Sequence, residues 1–110
     1  MAGFGPFGKI QEALKKAQEV KEGAQKLQVE LDEMEIVGEA GDGLVKVTVS
    51  GNQEPRAVTL APAAMEKSAE DLQALVFEAM QKAYGESTET MRTRMEELTG
   101  GLGNLPGLGF

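Results

Sequence analysis

Ile36-Val-Gly-Glu-Ala-Gly-Asp-Gly-Leu-Val-Lys-Val-Thr-Val-Ser50 is the stretch on which the fold turns. Val45, Val47 and Val49 alternate with Lys46 and Thr48, the period of a strand with one apolar face. Gly41-Asp42-Gly43 breaks the run with residues that accept a left-handed backbone, so strands over 36–40 and 44–50 fold back as a hairpin. Gly51-Asn-Gln-Glu-Pro55 is a second turn. Arg56–Leu60 then reads as a third strand with Val58 and Leu60 on one face, ended by Pro62. A three-stranded antiparallel meander with a fully apolar face follows, and that face needs a cover.

On both sides of the meander the period changes from two to that of a helix. Upstream, Ile10, Ala13, Ala17, Val20, Ala24, Leu27, Leu31 and Met34 alternate spacings of three and four, an unbroken heptad seam. The seam predicts one helix over 7–34, roughly 42 Å long at 1.5 Å per residue. A compact domain of this length has a radius of gyration of only about 13 Å. Such a helix outruns a single compact subunit, and its apolar edge calls for a second long helix. Glu12–Lys16 and Glu22–Lys26 have the spacing of ion pairs on its exposed side. Gly23 lies off the seam and costs the helix about 1 kcal/mol relative to Ala. Downstream, residues 61–67 form a short connection with room for one helical turn. Ser68 followed by Glu70 and Asp71 marks a capped helix start. The second helix runs from Ala69 to Leu98, broadly apolar as far as Tyr84 and sparsely so beyond Gly85.

The fold class is therefore α+β in the order α-β-β-β-α, a small antiparallel three-stranded sheet flanked by two long helices, assembled as an elongated homodimer. Residues 1–8 are read as a flexible N-terminal tail, 9–99 as a single domain, and 100–110 as a flexible Gly-rich C-terminal tail. The expected dimer interface joins Ile10, Ala13, Ala17, Val20, Ala24 and Leu27 of the seam with Val45, Val47 and Val49 of the sheet. If the helices run alongside each other, their free ends project together from the sheet.

Composition narrows the function. The 110-residue chain has no Cys and no His, which removes thiolate chemistry, the commonest general base and the commonest metal ligand. Gly41-Asp42-Gly43 is not followed by the Gly-Lys-Ser/Thr of a phosphate loop. Asp32, Glu33 and Glu35 cluster without a His or a pocket to make them catalytic or metal-binding. No enzyme, cofactor, metal or small-molecule substrate is expected. No apolar run reaches membrane-span length and no leader pattern is present, so membrane partners are not expected and the location is read as cytoplasmic.

The net charge is −7, but residues 1–28 carry five Lys against three Glu, whereas residues 29–110 carry six basic against fifteen acidic groups. The cations Lys9, Lys15, Lys16, Lys21, Arg92 and Arg94 fall on the free-end halves of the helices. Screening confines exposed charges to about 10 Å, so a basic end can act locally on an acidic chain. On the residues alone these six are either a solvated face, as charged positions of amphipathic helices usually are, or candidate phosphate contacts on a DNA partner. No helix-turn-helix, zinc finger or aromatic stacking motif supports base-specific readout. The competing reading is an acidic dimeric scaffold or adaptor that holds other proteins through its helices and tails.

The segments Gly43–Gly51 and Arg56–Pro62 resemble the YbaB/EbfC family of bacterial nucleoid-associated proteins. So does their frame: a Gln/Lys-rich helix before the hairpin, Ser68-x-x-Asp71-Leu72 after the Pro, Glu78-Ala-Met-Gln-Lys-Ala83, and a Gly/Pro/Phe-ending tail. That family often has an acidic residue where this chain has Ala61, and Asn-Asp where it has Gln81-Lys82. The resemblance implies a homodimer on a small sheet with projecting helical arms. It also implies duplex-DNA binding with modest sequence preference, in the cytoplasm and nucleoid.

Overall fold

In the computed structural model, which describes the backbone of residues 5–100 and the side chains of residues 8–100, the meander forms as its alternation requires. Strands β1 (Ile36–Ala40), β2 (Val45–Val49) and β3 (Pro55–Leu60) lie in the order β1-β2-β3, each pair antiparallel. Ile36 stands opposite Val49 and Ala40 opposite Val45. Gly41, Asp42 and Gly43 take φ of 63°, 55° and 85°, the left-handed turn expected of them. Val47 pairs with Val58 and Val45 with Leu60, and an irregularity at Thr48/Val49 brings Pro55 opposite Val49.

Helix α2 (Ala69–Thr99) covers the apolar face, entered through a short 3-10 helix, Pro62–Glu66. The Ser68 hydroxyl caps it, accepting from the Asp71 amide at 3.1 Å. The helix lies very close to β1. A β-carbon on Gly38 would overlap the Ala79 carbonyl oxygen and stand 2.5 Å from the Ala83 nitrogen. Ala79 and Ala83 are small enough to seat there, and both are fully buried. Around them pack Ile36, Ala40, Val45, Val47 and Val49, with Leu72, Leu75, Val76 and Tyr84 at the margin.

This seating corrects one expectation. Val45, Val47 and Val49 were expected at a dimer interface, but they are 0–3% exposed, covered by α2 of their own chain. Gly38 draws the helix over β1 and β2, and β3 on the far side of the sheet stays uncovered. Val58, which shares its face with Val47, is 60% exposed.

Ser50 organises the β2–β3 turn. Its hydroxyl accepts from the Asn52 and Glu54 amides at 3.0 and 3.2 Å. Its carbonyl accepts from the buried Ser87 hydroxyl of α2 at 2.8 Å. Ser87→Ala therefore removes one buried hydrogen bond, while the Gln53 amide still satisfies the Ser50 carbonyl. We expect a loss of about 1 kcal/mol in urea unfolding with an unchanged m value.

The same turn holds the end of helix α1 (Gly5–Glu33). The Gly51 amide donates to the Leu31 carbonyl at 2.7 Å, and the Asn52 side chain donates to the Gln28 carbonyl at 3.2 Å. Arg56 donates to the Asp32 carbonyl at 2.8 Å and to its carboxylate at 3.0 Å. The last turn of α1 carries acids and no base. Arg56 supplies from β3 the cation that the negative end of the helix dipole lacks. Helix α1 begins two residues before the expected position 7, Pro6 fitting within its first turn. The expected tails 1–8 and 100–110 lie outside the described residues, apart from Gly5–Gly8 in α1 and Gly100.

Candidate nucleic-acid interface

The two helices lie alongside each other from their junction with the sheet out to Gly23 and Leu98. Leu27 and Leu31 of the seam are buried within the chain. Farther out, Arg94 of α2 pairs with Glu30, and Leu98 packs against Gly23. Glu30 and Gly23 lie seven residues apart, and Lys16 and Lys9 continue that row. There α2 ends and α1 goes on alone: every residue from Lys9 to Glu19 is exposed. The helix ends therefore project from the sheet together as far as Gly23 and Leu98, and only the outer part of α1 extends beyond. The molecule extends 77 Å against 22 and 16 Å, with a radius of gyration of 21.4 Å.

The lysines and arginines of the candidate site separate accordingly. Lys9, Lys15, Lys16 and Lys21 lie on the lone arm. The spaced pairs Glu12–Lys16 and Glu22–Lys26 are not closed to within 4.0 Å, and no ion pair engages these lysines among the described residues. Arg92 and Arg94, by contrast, are each held by two glutamates: Arg92 by Glu89 and Glu96, Arg94 by Glu30 and Glu97. The Glu89 contact raises the Arg92 pKa further above its ordinary value. The lysine arm thus presents unpaired charge, whereas the arginines are neutralised on α2, Arg94 alone reaching α1 through Glu30.

The seam expected to face a second copy is likewise divided. Leu27 is used inside the chain, while Ile10 is 55% exposed and Ala13 and Ala17 are open to solvent. A second apolar surface, unmarked by the heptad pattern, lies between α2 and the uncovered strand β3. Phe77, at 62%, and Met80 stand exposed beside Leu72 and Val76, and Val58 and Leu60 face them from the sheet. The signal was present in the placement of Val58 and Leu60 on one face. What was missing was which strands α2 would cover.

The sequence matches the YbaB/EbfC DNA-binding family over residues 7–102. The chain belongs to that family. This YbaB/EbfC chain is 67% identical over 108 residues to a "Nucleoid-associated protein" of Synechococcus sp. (strain JA-2-3B'a(2-13)), covering 98% of this chain and 96% of that one. It is 59% identical over 106 residues to "Nucleoid-associated protein slr1847" of Synechocystis sp. (strain ATCC 27184 / PCC 6803 / Kazusa), covering 96% and 92%. Among solved structures, the uncharacterized protein HP0035 from Helicobacter pylori shares the fold with a TM-score of 0.59 at 19% identity, over 66% of this chain and 86% of that one. Among the described residues no group of three or more potential ligands could hold a metal ion, and no helix is long and apolar enough to cross a membrane.

Proposed function

We propose that this YbaB/EbfC protein is a nucleoid-associated homodimer that binds duplex DNA without catalysis, in nucleoid organisation or gene regulation. The observation that carries the proposal is the lone arm, with four lysines unpaired among the described residues on a chain whose net charge is −7. Lysines on a rod engage phosphates through charge and counterion release, which gives affinity with little base selectivity. Ala13 and Ala17 on the same arm are small enough to let the helix approach a sugar-phosphate backbone closely. Arg94 ties the base of the arm to α2 through Glu30, while Arg92 pairs only with Glu89 and Glu96 of its own helix.

The surface between α2 and β3 is the joint between copies. It is apolar, flanked by an open sheet edge, and short of the polar groups that would orient a small ligand. The chain exposes 7814 Å², whereas a compact monomer of its mass exposes about 5,900 Å². A standard interface covers about 800 Å² per partner, well within that excess. Two copies joined this way present two arms to one duplex. Phe77→Glu places a charge in the joint without touching the interior of the subunit. Sedimentation equilibrium should then give a monomer at micromolar concentration, and affinity for duplex DNA in a gel shift should fall at least about tenfold as one arm set is lost. A dimeric Phe77→Glu protein would remove the joint from this face. Failure of the wild-type protein to shift duplex DNA at low salt would overturn the DNA reading.

A further inference from the structure

Gly23 stands at the one place along α1 where support ends. On its C-terminal side, Leu27 and Leu31 are buried. On its N-terminal side, Val20 is still half-buried and residues 9–19 are exposed. A β-carbon at Gly23 would come 2.5 Å from Leu98 Cδ1, so the terminal leucine of α2 sits in the notch that the glycine leaves. A helix interior is most easily bent at glycine, which stabilises it about 1 kcal/mol less than Ala does. The part of α1 beyond it, residues 5–22, is little longer than the ~12–15 residues below which an isolated helix is marginal in water.

We propose that Gly23 is the hinge of the lysine arm and Leu98 its latch, which makes both positioning residues for the arm's cations. Lys9 lies about 21 Å beyond the hinge at 1.5 Å per residue. A 20° bend therefore moves its charge by roughly 7 Å, about two base-pair rises along the duplex axis. The arm thereby follows the backbone of DNA whose local shape varies, while Arg94–Glu30 keeps the base of the arm fixed to α2. Gly85 of α2 also has open space around it, but it is flanked by the fully buried Ala83 and Ser87, which hold the helix to the sheet. Gly85 is no hinge. The use of the motion rests on the DNA-binding reading; the motion itself does not.

Absence of cysteine allows two spin labels to be placed without ambiguity, at Gln11→Cys on the arm and Glu86→Cys on α2. The labelled protein is refolded with an excess of unlabelled protein, so that pulsed electron resonance reads distances within one chain. Leu98→Ala should broaden the distance distribution about twofold, and adding Gly23→Ala to it should restore the wild-type width. Gly23→Ala alone should narrow the distribution, because only the flexible end of Leu98 has to move aside, and Gly85→Ala should leave it unchanged. Equal widths with Gly and Ala at position 23, or no broadening in Leu98→Ala, overturn the hinge. No DNA is needed for this measurement. Normal hinge behaviour in a protein that shifts no duplex would sink the DNA reading alone, and a DNA-binding protein with a rigid arm would sink the hinge alone.

Discussion

Gly38→Val should destabilise the fold by about 3 kcal/mol or more, the largest stability effect of any single substitution considered, because it strikes backbone against backbone. A side chain at position 38 meets the Ala79 carbonyl and the Ala83 amide and α-carbon, all within 3.0 Å. None of these atoms can turn aside as the end of a side chain can. The strand and helix must separate, which uncovers Val45, Val47 and Val49 beneath α2. Each buried valine contributes about 1.5–3 kcal/mol, so partial exposure of the three is enough for a loss of this size. Thermal unfolding followed by circular dichroism, at fixed chain concentration because association is coupled to folding, should show Tm falling by at least about 12 °C. Gly85→Ala, with no atom within 4 Å of the added carbon, should instead hold or slightly raise Tm. A Gly38→Val protein that melts within a few degrees of wild type would mean that α2 does not rest on β1 at this point.

Gly38 also shows where the sequence is legible. The strands, the Gly41-Asp42-Gly43 turn and the Ser68 cap are set by residues within a few positions of one another, and all three can be read directly. A glycine inside β1 is a known mark of close backbone approach, so the contact with α2 had a signal even though its partner did not. The same division runs through the site. Arg92 lies three and four residues from Glu89 and Glu96, a spacing that pairs charges on a helix, and its engagement could have been read. Arg94 reaches Glu30 on the other helix, and Leu98 fills the notch at Gly23; neither pairing has any local trace. The heptad seam is genuine periodicity with two uses. Its inner turns are buried within the chain, and its outer turns are left on the arm. Periodicity alone fixes the apolar face of a helix, not the identity of what covers it.

The division between paired arginines and open lysines sets the second large effect. Lys9, Lys15, Lys16 and Lys21 changed together to Ala should reduce affinity for duplex DNA at 0.1 M salt by at least about 100-fold. Each neutralised phosphate contributes about 0.9 to the slope of log affinity against log salt, or roughly eightfold at that ionic strength, and in a homodimer every substitution acts twice. If only two of the four lysines in each copy reach a phosphate, their removal already exceeds the stated reduction. The salt dependence of the remaining binding should flatten in proportion, and this separates the removal of phosphate-binding charge from the loss of the fold. Thermal unfolding should change little, since these side chains are exposed and no ion pair engages them among the described residues. Arg92→Ala with Arg94→Ala should act the other way round. Each guanidinium already lies between two carboxylates, so affinity should change less than about fivefold and the salt slope should be nearly kept, because few counterions are released where glutamates already neutralise the charge. A larger drop in the arginine variant than in the lysine variant would transfer the DNA-binding surface from the lone arm to the end of α2. Equal and undiminished binding by both would place the DNA away from the helix ends altogether.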